Sequence, residues 1–275
     1  DVLVMRLKPR PDQERQIWGG LMTSLGSVND FSLSKFVEVW VRGERGNLHL
    51  DLGTISEDFC CDQTAEDPLN FREDGAIDTE DEPFPGRTTG DGLVAQAEDV
   101  GIDRRDDLGE LNFYLDEVGV DTTGLSLEQK RQQFLQSYSD GDADDPQGDN
   151  WHYDATGNRK NDYRRINGTE GNKSDREAAD RPDSEDLNND GVLNTRNDYY
   201  RYTIDLESDP HVAGTESNGW RLFRLPLFDE TPREGLPDSS RIEFARVMVN
   251  GETEASDDSI TVEIALIEVI GNEWQ

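Results

Sequence analysis

Asp186, Asn188 and Asp190 alternate along the chain. Gly191 follows at the sixth place counted from Asp186, and Asn194 and Asn197 stand at the ninth and twelfth. Alternating side chains converge when the backbone curls, and a hard cation needs several oxygens at one point. Gly191 permits the tight turn. The Val192 carbonyl then adds a ligand, and Leu193 ties the curl to apolar packing. The chemistry of this run is calcium binding, with Asp186, Asn188, Asp190, Val192, Asn194 and Asn197 as the ligand set. Asn197 stands where a bidentate glutamate usually closes such a loop, and Asp198 comes one step late, so the last ligand stays open. The competing reading is a solvated turn, because Asn, Asp and Gly dominate turns without any metal.

The spacing resembles the calcium loop of EF-hand and dockerin repeats. Two further clusters alternate Asp in the same way. Asp99 and Asp103 precede Asp107, and Asp140, Asp142, Asp144 and Asp145 precede Asp149. Neither keeps the spacing beyond the fifth place, so each is either a calcium cage or a solvated acidic loop.

Catalytic constellations are missing. His49, His152 and His211 are the three histidines, and none falls in a metal-protease spacing or a nucleophile elbow. A pair of carboxylates among 61 acidic residues says nothing about glycoside chemistry. The chain is therefore read as non-catalytic.

A length of 275 residues suffices for a real core, in one large all-β domain or two smaller ones. A net charge of -34 with only 33% hydrophobic residues opposes compaction unless cations or salt screen it. Lysine occurs only at Lys8, Lys35, Lys130, Lys160 and Lys173, a balance similar to that of salt-adapted proteins. Nucleic acid is excluded as a partner because no basic footprint exists, and an anionic membrane surface is disfavoured for the same reason. No apolar run has the length of a membrane helix and no signal peptide is seen. Starting at Asp1, the chain reads as a mature product or an excised piece of something larger. Cys60 and Cys61 are adjacent, where a bridge is strained, so they are read as two semi-buried thiols and not as a disulfide framework.

The elements that must position these acids are strands. Apolar runs at 2–7, 17–22, 36–42 and 48–52 give four strands before about residue 55, with Val37, Val39 and Val41 on one face and Leu48, Leu50 and Leu52 toward the core. From 62 to 198 strand periodicity vanishes. Ser126 and Gln129 form a capping box ahead of one helix, and 107–118 holds a weaker one around Leu108, Leu111 and Leu115. Strands return at 200–206, 220–225, 242–249 and 260–270. The prediction is one all-β domain over 1–275. It is a jelly-roll-like, galactose-binding-like antiparallel β-sandwich of eight strands, with residues 56–198 as a long acidic, calcium-loop-containing insertion carrying one or two short helices. The flanking halves are expected to pair in shared sheets.

The segments Phe36-Val37-Glu38-Val39-Trp40-Val41, Asp51-Leu52-Gly53 with Ile55-Ser56-Glu57-Asp58, Asn167-Gly168-Thr169-Glu170-Gly171-Asn172, Glu185-Asp186-Leu187-Asn188 with Tyr199-Tyr200-Arg201-Tyr202, and Val269-Ile270-Gly271-Asn272-Glu273-Trp274 occur in this order. Together they resemble the SprA family of giant outer-membrane proteins of the type IX secretion system, which is also linked to gliding motility. The resemblance implies a very wide single-chain β-barrel conducting folded proteins, with soluble domains between its membrane strands. This chain would be one such domain on the extracellular side of the outer membrane, with secretion substrates or translocon subunits as partners. It has no series of amphipathic lipid-facing strands, so it is not the pore. The alternative is a carbohydrate-binding jelly-roll module stacking glycans on Trp18, Trp40, Trp151, Trp220 or Trp274.

Overall fold

The computed structural model describes residues 2–9, 16–58, 75–81, 98–102, 105–139, 141–150, 182–208, 210–228, 231–253 and 258–271. The chain divides into two compact units, one of residues 1–56 with 196–275 and one of residues 57–195.

Among its described residues the first unit holds ten strands: β1 (Leu3–Leu7), β2 (Gln16–Asn29), β3 (Ser34–Arg42), β4 (Asn47–Thr54), β5 (Asp198–Asp205), β6 (Val212–Thr215), β7 (Arg221–Pro226), β8 (Arg233–Glu234), β9 (Ile242–Glu252) and β10 (Ile260–Gly271). They form two five-stranded antiparallel sheets in a sandwich-like arrangement. One runs β1-β10-β3-β7-β6 and the other β2-β9-β4-β5-β8. The flanking halves do share both sheets. Val39 on β3 faces Ile267 of β10 and Phe223 of β7, and Leu50 on β4 faces Tyr202 of β5 and Val247 of β9.

Period-two alternation explains the core. Val37, Val39 and Val41 from the first sheet and Leu48, Leu50 and Leu52 from the second are buried, together with Tyr200, Tyr202, Ile204, Phe223, Leu225, Val262 and Ile264. Each such side chain stabilises by about 1.5–3 kcal/mol relative to exposure. The expected eight strands are ten because β6 and β8, of four and two residues, add short outer pairings. The expected short strand at 17–22 is a 14-residue strand, since pairing with β9 carries β2 through its glycines.

Among the described residues of the second unit two helices appear, α1 (Asp107–Glu117) and α2 (Leu127–Ser137). Asp106 caps α1 by accepting from the Gly109 N–H at 2.8 Å. Ser126 and Gln129 cap α2 reciprocally, at 3.3 and 2.9 Å. Leu111, Leu115, Phe134 and Ala143 form the small apolar cluster between them, and Tyr114 packs edge-on against Phe134.

Candidate metal centre

The described residues of the second unit bury more acids than hydrocarbon side chains. Among its described residues the buried apolar side chains are Val100, Leu111, Leu115, Phe134 and Ala143. The buried acids are Glu57, Asp58, Asp78, Glu80, Glu98, Glu110, Asp145, Asp149, Asp183, Glu185 and Asp186. A buried carboxylate needs donors, a proton or a cation, and the unit is built around supplying them.

Three of these groups converge. Asp107, Glu110 and Asp145 each place one carboxylate oxygen within 4.8 Å of the other two, an arrangement that can hold a metal ion. Asp107 and Glu110 stand three apart in the first turn of α1, on one helix face, where the helix N-terminus stabilises both as anions. Asp145 comes from the loop after α2. Its Oδ1 accepts from the Gly148 and Asp149 N–H groups at 2.9 and 3.1 Å, which fixes the carboxylate in the turn. Glu110 Oε2 accepts from the Gln147 N–H at 3.1 Å, and Asp107 Oδ1 from Asn150 Nδ2 at 2.8 Å. Oxygen-only donors of this kind suit calcium, magnesium or manganese.

The run from Asp186 curls as its spacing predicts. Asp186 Oδ1 and Asn188 Oδ1 both accept from the Asp190 N–H, at 3.1 and 2.9 Å, and Asp186 Oδ2 accepts from the Gly191 N–H at 2.7 Å. Gly191 has φ +77, the left-handed conformation that makes glycine the fitting residue there. Asp190 Oδ1 accepts from the Val192 N–H at 2.8 Å, with Val192 exposed. Asn194 turns to Glu57, donating from both its backbone N–H and its Nδ2 to Glu57 Oε2 at 3.2 and 2.8 Å. Asn197 belongs to the first unit, where its Oδ1 accepts from the Ser56 N–H at 3.1 Å. The structure thus turns Asp186 and Asn188 onto the Asp190 N–H, points Asp190 Oδ1 to the Val192 N–H, and commits the side chains of Asn194 and Asn197 to other partners.

Asp99 is half-buried. Asp142 is exposed and accepts from the Asp144 N–H at 3.0 Å. Asp144 is exposed and forms an ion pair with Arg131. Asp103 and Asp140 lie outside the described residues, as do Cys60, Cys61, His152, Trp151 and Trp274.

Sequence reasoning passed over Glu57, Glu80 and Glu110. The signal for Glu110 was its place three residues after Asp107 on a predicted helix. Glu57 carries no local signal, because its donors are 130 to 137 residues away. Burial raises the carboxyl of Glu57, against the pull of its hydrogen bonds from Asn194, Leu187 and Asn188. Glu80 is pushed up to about 8, first by burial and then by the charges of Asp183, Asp99 and Asp149.

The histidines build nothing catalytic among the described residues. His49 bridges Thr203 Oγ1 and Asn250 Oδ1 at 2.9 and 3.1 Å, and burial lowers its pKa. His211 is exposed in a turn. No helix of the described residues is long and apolar enough to cross a membrane. No protein-family model matches the chain, and no curated protein matches it.

Proposed function

We propose that the chain is a non-catalytic, calcium-stabilised binding domain of a SprA-like outer-membrane translocon, acting on other proteins at the cell surface. The observation that carries the cation part is the burial of eleven acids beside five apolar side chains among the described residues of the second unit. Cations that neutralise those acids stabilise such a unit. The sequence resemblance to the SprA family supports the translocon part. With the two short strands set aside, the order β1-β10-β3-β7 beside β2-β9-β4-β5 supports a jelly-roll, galactose-binding-like sandwich.

The test is made in the full-length parent protein. Deleting residues 57–195 is expected to stop export of its substrates while the parent still reaches the outer membrane. Unchanged export overturns the reading, and so does flanking sequence without amphipathic β-strands. A hydrolase screen whose activity one carboxylate substitution abolishes would reverse the non-catalytic assignment.

One observation favours the glycan alternative. Trp18 is 64% exposed beside an open groove of about 530 Å³ lined also by Gln16, Asn47, Asn250 and Glu252. An exposed ring next to amides is suited to sugar stacking. Trp40 and Trp220 are half-buried, so no second exposed ring joins it among the described residues. Glycan-array binding that Trp18→Ala abolishes would establish this module.

A further inference from the structure

The edge strands of the two sheets are unequal. β1, β6 and β8 run for five, four and two residues, whereas β2 runs for 14, from Gln16 to Asn29. Its register with β9 is unbroken from Gln16 opposite Glu252 to Ser24 opposite Phe244, and among the described residues β2 pairs with no other strand. Alternate residues of such a strand turn their N–H and C=O groups away from the partner, so about half of the backbone groups over 16–24 face outward.

A long sheet edge is ordinarily guarded by charge or proline. β2 has neither, in a chain that is 32% charged. Trp18, Leu21 and Val28 are instead 64%, 50% and 52% exposed along it. An unguarded ladder edge recognises the backbone of another extended segment. The side chains add a preference. The register sets Trp18 beside Asn250, and Asn250 beside Asn47, on one face of the sheet. The groove at the Trp18 ring has Glu252 as the charged member of its described lining, and Gln16 Nε2 donates to Glu252 Oε1 at 3.2 Å. An aromatic face and a carboxylate together suit a lysine or arginine side chain.

We propose that β2 accepts an extended, basic segment of another protein as an added strand of the second sheet, with a lysine or arginine of that segment placed between Trp18 and Glu252. A second copy of the chain is the wrong occupant, since each copy brings a charge of -34 and two such bodies repel. A basic segment is attracted by the same field, and β2 carries no charge of its own to oppose it. Backbone hydrogen bonds supply affinity for any extended segment, and the groove at Trp18 supplies the choice among them. The proposal rests on reading the chain as a protein-binding domain, and it holds whether or not that domain serves a translocon.

The experiment titrates the full chain, at fixed calcium and monovalent salt, with fluorescent peptides of alternating valine and threonine. One has a central lysine, another has glutamate in that place, and a third keeps the lysine between two prolines. The lysine peptide is expected to bind and to slow hydrogen exchange at alternate amides of 16–24, with the glutamate peptide weaker by about tenfold. Glu252→Gln should remove most of that preference while melting like the parent. The proline peptide keeps the charge but cannot extend a ladder, so it should not bind. Equal binding of the lysine and proline peptides would reduce the interaction to charge attraction and overturn the proposal, as would a lysine peptide that does not bind. A dimer in sedimentation that protects 16–24 without peptide would make a second copy the occupant and overturn it too. None of these results bears on export after deletion of 57–195, so the two readings fail separately.

Discussion

Arg201 clasps Asp51 through two parallel hydrogen bonds, Nε to Oδ1 at 2.8 Å and Nη2 to Oδ2 at 2.9 Å. Arg246 Nε adds a third, to Oδ2 at 2.9 Å. Asp51 is fully buried on β4, and the two arginines stand directly opposite it on β5 and β9. Both guanidinium groups lie over the Tyr199 ring, so one acid, two cations and one aromatic tie three strands of the second sheet together. Asp51→Ala leaves two guanidinium groups without their acceptor. It is expected to cost about 3 kcal/mol, the low end for a broken buried pair because Arg201 is a third exposed. Urea unfolding should show the midpoint fall with the slope unchanged, and a loss below about 1 kcal/mol would show that water replaces the acid.

Glu57 organises the calcium-like run from outside it. Its carboxylate is 2% exposed and accepts from the N–H groups of Leu187, Asn188 and Asn194 at 2.9, 3.3 and 3.2 Å, and from Asn194 Nδ2 at 2.8 Å. Glu57→Ala strands these donors and should cost about 2–4 kcal/mol locally. Hydrogen exchange is the fitting readout, with protection of residues 187–194 lost and that of β3 and β4 retained. Equal loss in both regions would mean that Glu57 supports the whole fold and not this loop.

The legible part of the fold is the part set by local alternation. Val37, Val39 and Val41, or Leu48, Leu50 and Leu52, declare their buried face at a spacing of two, and Ser126 with Gln129 declares a helix start within four residues. β6 and β8 were invisible because four and two residues carry no period. The carboxylate centres were half legible. The Asp186 run showed in its spacing, and Asp186 Oδ1 and Asn188 Oδ1 share the Asp190 N–H. Asp107 and Asp145 were each noticed in a separate cluster, but their meeting at Glu110 depends on α1 packing against the loop after α2, which no spacing encodes. The acids at 78, 80, 183 and 185 needed a bridge between segments about a hundred residues apart, and with 61 acids in the chain nothing local marked them.

The calcium-free protein is expected to lose stability as pH rises. Glu80 has a folded pKa of about 8 against an ordinary 4.5, with Asp183, Asp99 and Asp149 as the charges facing it. A raised folded pKa means that the protonated form is favoured in the fold. Its contribution is therefore complete below about 4.5 and is lost as pH climbs through 8. The full loss is on the order of several kcal/mol at 1.36 kcal/mol per unit. Melting temperature in chelator should fall across this window for the parent and stay flat for Glu80→Gln. A parent whose melting is equally flat would show that water reaches Glu80.

Calcium should close the gap that acidity opens. An ion that binds only the folded form stabilises it by RT ln(1 + [L]/Kd), about 4 kcal/mol at a thousandfold excess. Among the described residues of the second unit Leu111, Leu115, Phe134 and Ala143 form a small core beside many buried acids, whereas the sandwich has a large core of its own. Chelation should therefore expose residues 57–195 to protease first, with the paired strands of the sandwich surviving as associated fragments. Asp190→Ala should reproduce part of that sensitivity through the Asp186 run, and Glu110→Gln another part through the group at α1, the two adding because they act on different residues. Monovalent salt also screens a charge of -34, so it must be held constant while calcium varies. A chelated protein with unchanged cleavage and no saturable calcium uptake would leave salt screening as the force that holds the acidic unit together, and the carboxylates at Asp107, Glu110 and Asp145 as a structural turn.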